Sequence, residues 1–168
     1  MKDLNYNDVI GTINERLANG GVFLNTAGDT PNTMTIGWAY MGVSWRKNIF
    51  IAMVRPQRHT YELIEKTGEF TVSVPTVNPL RAELGFAGTA SGRDVNKFDG
   101  HGLTAAPARQ VNAPIVGECG LHLECRVVSR QKLSGEHMDE AIRSHAYPGN
   151  DYHMLYFGEV IACYSTDD

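Results

Sequence analysis

The sequence has no apolar run approaching the roughly eighteen residues that cross a bilayer. Its first residues, Met1-Lys2-Asp3-Leu4-Asn5-Tyr6-Asn7-Asp8, are too polar for a secretory signal. A membrane partner is therefore not expected. A basic excess is also missing: fifteen Lys and Arg stand against nineteen Asp and Glu, for a net charge of −4. That balance argues against a dedicated nucleic-acid binder. Cysteine is scarce. Three cannot all pair within the chain, so reduced thiols and a cytoplasmic location are expected. There is no G-x-G-x-x-G after a strand, no G-x-x-x-x-G-K-[ST] and no G-x-S-x-G, which weakens a Rossmann nucleotide site, a P-loop and an α/β-hydrolase. C-x-x-C and H-E-x-x-H are absent too. Without repeats, low-complexity tracts or linker-like shifts in composition, residues 1–168 read as a single domain.

What remains is an ordinary globular composition, 42% apolar and 20% charged over 168 residues. A chain of this size buries roughly two-thirds of its unfolded surface, enough for a core without staples. Val9, Ile10, Ile13 and Leu17 fall at helical spacing between Asn7, a candidate cap, and Gly20-Gly21. The period then changes. Strands are predicted at Val22–Leu24, Met34–Val43, Asn48–Val54, Phe70–Val74, Leu121–Val127 and Met154–Cys163. Short helices are predicted after Thr60 as N-cap, ending at Gly68, and after Asn78 as N-cap with Pro79 in the first turn. Many strands with few helices fit a small antiparallel barrel, mainly β with peripheral α, better than a parallel sheet.

Three segments carry polar chemistry. Arg55-Pro56-Gln57-Arg58-His59-Thr60 joins an apolar strand to a helix N-terminus, bringing two guanidinium groups, a hydroxyl and free N–H groups toward one spot. Phosphate is the obvious anion for such a site, and a solvated connection is the competing reading. Ser91-Gly92-Arg93-Asp94-Val95-Asn96-Lys97-Phe98 combines donors with a glycine that admits close backbone approach; it also reads as an exposed loop. Asn32-Thr33-Met34-Thr35-Ile36-Gly37-Trp38 offers backbone donors and then an apolar wall, as a flat heteroaromatic ligand requires. The plainer alternative is an edge strand with Trp38 in the core. Cys119-x-x-His122-x-x-Cys125 has metal-like spacing, but period two turns His122 away from a face shared by Cys119 and Cys125. Core thiols and no metal are expected there. His153, at the entrance to the last strand, can orient a ligand, transfer a proton or cap its loop.

In order and spacing, these segments resemble the flavin reductase-like family of FMN-binding split β-barrels, nearest its flavoredoxin and ferric-reductase branch. The match runs roughly from residue 20 to 164. It rests on Asn32-x-Met34-Thr35-x-x-Trp38, Arg58-x-Thr60 before Leu63-Ile64, and Glu69-Phe70-x-Val72. Ser91-Gly92-Arg93-Asp94-x-x-Lys97-Phe98, Ala113-Pro114, Leu123-Glu124-Cys125, and His153 five residues before Gly158-Glu159-Val160 complete it.

The resemblance implies a Greek-key antiparallel barrel with short helices, forming a homodimer with FMN at or near the interface. Met34, Thr35, Ile36 and Gly37 would lie along the isoalloxazine ring, with Asn32 and Trp38 in the same segment. Arg55, Arg58 and Thr60 would hold the phosphate, and Ser91, Gly92 and Lys97 would complete that end. His153 would sit near the flavin as the catalytic candidate. The implied activity is an NAD(P)H-dependent flavin reductase passing electrons to a small-molecule or redox-protein acceptor. The alternative is a flavoredoxin-like FMN carrier without its own nicotinamide site; a barrel holding haem or another ligand is a third. Two departures stand out. Leu133–Asn150 is longer than the usual connection, with a helical turn expected at Met138–Ile142, and is placed to cover the flavin. The Gly42–Asn48 stretch lacks the prolines often found there.

Overall fold

A computed structural model describes residues 1–167. Helix α1 (Tyr6–Ala18) buries Tyr6, Val9, Ile13 and Leu17, the stripe its periodicity requires. Its cap is Asn5, whose side chain accepts the Asn7 N–H at 2.9 Å; Asn7 itself lies in the first turn. Gly20 and Gly21 then take φ of 117° and 95° and turn the chain into β2 (Val22–Thr26). The single strand expected over Met34–Val43 is two, β3 (Asn32–Ile36) and β4 (Ala39–Ser44), parted at Gly37-Trp38. Strand β4 pairs back on β5 (Lys47–Val54) through a two-residue hairpin. Its turn residues, Trp45 and Arg46, have φ of 54° and 59°, left-handed values that side chains other than glycine adopt only under constraint.

Helix α2 (His59–Thr67) ends at Gly68 with φ of 69°, and β6 (Glu69–Val74) follows. Thr60 is not its cap; Arg58 holds that position, and Thr60 sits buried in the first turn. The next helix, α3 (Arg81–Thr89), begins after Leu80, at φ of 46°; Asn78 lies outside it and accepts the Leu80 N–H. A small hairpin, β7 (Ala105–Ala106) and β8 (Ile115–Val116), precedes the two longest strands, β9 (Leu121–Lys132) and β10 (Met154–Ser165). Between those strands lies α4 (Glu140–Ala146), and β1 (Lys2–Asp3) pairs with the end of β10.

The main sheet is antiparallel in the order β3-β2-β6-β9-β10-β5-β4. Sequence neighbours β5 and β6 are far apart in it, and β3 and β4, consecutive in the chain, are its two ends. Met34 and Ile36 of β3 nevertheless share one core with Phe50, Ala52 and Val54 of β5 and with Phe70, Val72 and Leu123. The sheet has therefore curled on itself around that core, leaving an unpaired seam beside β3: the antiparallel split barrel, with its helices outside. A second cluster, Phe23, Leu80, Leu84, Ala87, Leu103, Val116 and Cys119, packs α3 on the outer face of β2. Burial on both faces makes every residue of β2 and β6 buried.

The two faces also separate the cysteines. Cys125 lies in the barrel interior, whereas Cys119 precedes β9 and belongs to the outer cluster. The common face expected from period two fails because Cys119 is not on the strand. His122 shares the outer side, its ring within 3.1 Å of Ser73 Oγ and 2.9 Å of the Cys119 carbonyl. Among the described residues no helix is long and apolar enough to span a membrane.

Candidate functional site

Strand β3 is the last strand of the sheet, so its outer backbone edge has no strand partner. The Thr33 carbonyl points outward and accepts from Lys97 Nζ at 2.8 Å. By antiparallel alternation, the N–H and C=O of Thr35 face the same edge. Alongside it run the C-terminal end of β5, the start of α2, the end of α3 and the residue before β10. Together they line a cleft of two adjoining cavities of about 270 and 260 Å³, with Arg58 in the walls of both.

Met34, Thr35, Ile36, Gly37, Trp38, Arg55 and His153 line the strand-side cavity, joined by Met53 and Gly88. Asn32, Thr60, Ser91, Gly92 and Lys97 line the helix-side cavity, with Gln57, His59, Thr89, Ala90 and Arg93. The residues singled out in the sequence thus come together from four segments. Met53 was missed, although it lies two residues before Arg55 and hence on the same face of the chain. Gly88 and Thr89, at the end of α3, were missed because nothing in their residue types points to a ligand.

The helix-side cavity is cationic and rich in donors. Arg58 is half-buried, donates to the Gly88 carbonyl at 2.8 Å, and has its pKa lowered by that burial. Lys97, 2% exposed, donates to the Thr33 and Ala87 carbonyls; burial, with repulsion from Arg58, brings its pKa down to about 8. Arg93 is already engaged, donating to the Gln57 carbonyl and to Glu62 at 2.7 Å. Helix α2 has no side-chain cap, so its first N–H groups, at the His59 and Thr60 wall, remain free for an anion.

Asn32 gives the clearest sign of a missing partner. Its Nδ2 donates to Thr60 Oγ1 at 2.9 Å, while its Oδ1 is buried without a hydrogen bond. Turned over, the same amide accepts from the Thr60 hydroxyl and presents two N–H groups. Gly92 packs against it so closely that a Cβ there would collide with Oδ1 and meet the His59 ring at 3.1 Å. A side chain is thus excluded where backbone must come near.

Arg55 differs from expectation. It lines the strand-side cavity with Arg58 but not the helix-side one, and its guanidinium is held by Asp151 and by the Ala146 carbonyl at 2.8 Å, over the Tyr147 ring. Asp151 is held below the usual carboxylate range chiefly by that contact. Arg55 therefore anchors the long connection from the wall of the cleft. The connection itself does not line the cleft; it packs behind Arg55 and His153.

His153 is 8% exposed, with Nδ1 2.7 Å from the Tyr147 hydroxyl. Burial first, and then Arg55, push its pKa down to about 4, so the ring is neutral near pH 7. Trp38 is not a core residue. It is half-exposed at the seam, its ring 5.3 Å from that of His153.

A flavin reductase-like domain model matches residues 16–168. An uncharacterised protein of Archaeoglobus fulgidus is 36% identical over 109 residues, covering 65% of this chain and 60% of the relative. The chain thus spans less than two-thirds of that relative's length. Among solved structures, flavoredoxin of Desulfovibrio vulgaris (Miyazaki F) superposes with a TM-score of 0.69 at 24% identity, over 88% of this chain and 69% of its own. The NADH:FAD oxidoreductase of Streptomyces globisporus gives a TM-score of 0.65 at 20% identity, over 87% and 75%. With the split barrel and its seam-side cleft in place, and the domain model covering most of its length, the chain belongs to the flavin reductase-like domain family.

Proposed function

We propose that the protein binds FMN along this cleft and acts as an NAD(P)H-dependent flavin reductase. The observation that carries the reading is the sharing of Arg58 between a backbone-edged, partly apolar cavity and a cationic one. A molecule with a flat head and an anionic tail suits that pair. The residues fit the group: the orphaned Asn32 amide and the space kept by Gly92 lie where donors for a phosphate gather.

In this reading Arg58, Lys97, Thr60 and Asn32 hold the phosphate with the Ser91 and Gly92 backbone. Each charge-assisted contact contributes about 1.5–3 kcal/mol. Met34 to Trp38 would supply the ring site, and the outward Thr35 N–H would be available to stabilise negative charge on the ring. Bound FMN would supply the hydride and electron chemistry. A neutral His153 does not serve as a proton donor by losing an imidazolium proton at pH 7. Whichever nitrogen carries its hydrogen, the ring is held in place by the Tyr147 hydroxyl at Nδ1. Arg55 is a positioning residue for this corner. The homodimer suggested by the resemblance is supported by exposed apolar side chains, Tyr40, Val43 and Trp45, at the β4–β5 hairpin.

Absorbance of the purified protein, with release and identification of the chromophore, tests the cofactor. FMN that bleaches anaerobically with NADH or NADPH is the expected result. FMN reduced by dithionite but by neither nicotinamide would make the protein a flavoredoxin-like carrier. Colourless protein that takes up no FMN on titration would remove both. Sedimentation equilibrium tests the dimer.

A further inference from the structure

Behind Trp38 lies a third cavity, of about 750 Å³, which shares Gly37, Trp38 and Met53 with the strand side of the cleft. One wall is Leu17 of α1 and another is Met138 and Ile142 of the long connection. No Asp, Glu, Lys or Arg contributes to its lining among the described residues, so a charged guest would find no partner there. Trp38 and Tyr147, with ring centroids 6.4 Å apart, supply flat aromatic walls. Its volume falls in the range of about 300–1,000 Å³ typical of small-molecule sites.

Packing holds the connection only at Tyr147, which is 3% exposed. Helix α4 buries none of its residues, and Ile142 is 56% exposed. It is held by polar contacts from residues of the cleft: Arg55 to Asp151 and to the Ala146 carbonyl, and Tyr147 to His153. An apolar face is thus fixed in place by polar ties, with open space before it.

We propose that this chamber binds an uncharged, flat aromatic compound of one or two fused rings, against Trp38 and beside the ring end of the cleft. Its position beside a flavin rests on the function proposed above; the binding itself does not. The concave lining comes from separate segments of one chain. Of the exposed apolar side chains at the β4–β5 hairpin, Tyr40 lines the chamber, whereas Val43 and Trp45 at the hairpin tip form no part of it.

Calorimetric titration with 2-naphthol, on the full chain both free of cofactor and loaded with FMN, tests the proposal. Saturable binding of one molecule per chain is expected in both. Ile142→Arg should weaken it by about tenfold or more, while Val43→Arg leaves it unchanged; far-UV circular dichroism checks that both variants are folded. Absence of saturable binding to the parent protein, or Ile142→Arg without effect, overturns the proposal. So does an Ile142→Arg variant that turns dimer into monomer with its 2-naphthol affinity intact, since the face would then belong to a second copy. If FMN fails to bind while 2-naphthol still binds and Ile142→Arg abolishes it, the flavin assignment falls and the chamber stands.

Discussion

Gly92 sets the width of the helix side of the cleft by having no side chain. In Gly92→Ala the added methyl must displace the Asn32 amide, which Thr60 holds from the other side. FMN affinity should fall by about tenfold or more, an affinity loss of at least about 1.4 kcal/mol, while the melting temperature moves little because the core is untouched. Fluorescence titration of FMN checks it; unchanged affinity would move the phosphate elsewhere. Two histidines give a second measurable consequence. His122 and His153 both titrate near pH 4 in the folded chain, each chiefly through burial. Unfolded, a histidine titrates near about 6.5. Between those values the unfolded chain binds protons that the native state refuses, so acidification destabilises the fold. The loss is at most about 1.4 kcal/mol per pH unit for each ring and levels off below about pH 4. Urea unfolding from pH 7 to 4 should show this slope, and His122→Gln should make it shallower.

The long connection is an element fastened by one side chain more than by any other. Arg55→Met removes its ties to Asp151 and Ala146 and the stacking on Tyr147. Tryptic cleavage at the exposed Arg143 should then speed up about tenfold, with global stability lowered by no more than about 1–2 kcal/mol, because α4 contributes nothing to the core. An unchanged cleavage rate would show that the tie is not what holds the segment. Elements with a clear pattern were legible from residues alone: α1 by its buried stripe, α2 up to Gly68, and β5 by its unbroken apolar run, which puts Phe50, Ala52 and Val54 in the core. Boundaries set by geometry were not. Gly37 and Gly42 mark the Met34–Val43 stretch as broken, but nothing local says that the break at Gly37-Trp38 sends its two halves to opposite ends of the sheet. Asn7, Thr60 and Asn78 are all good capping residues, yet the positions were taken by Asn5, Arg58 and Leu80, since tertiary contacts chose the first turn. The tie from Arg55 to Asp151 was not legible because the two lie 96 residues apart.

At the scale of the molecule, the cleft exists because the sheet closes, and closure was only half readable. Alternating strands with few helices indicate a barrel, but the order that places β10 between β9 and β5 depends on pairings that no local pattern encodes. Gly158 sits where that closure is tightest. The β9–β10 register shifts beside it, and a Cβ there would meet Phe70 Cζ at 2.6 Å and Cys125 Cβ at 2.8 Å. Both neighbours are fully buried, so neither can withdraw without disturbing the barrel interior. Gly158→Val should therefore destabilise the whole protein by about 3 kcal/mol or more, beyond ordinary overpacking because ring and backbone must both move. One core cluster joins α1 to strands at both ends of the sheet, so the loss should be cooperative. Near-ultraviolet circular dichroism, tyrosine fluorescence and release of FMN should then follow a single urea transition, shifted to lower concentration. Release of FMN well before the other two signals would mean that the seam opens on its own, and that the cleft is held by the helices beside it rather than by the barrel.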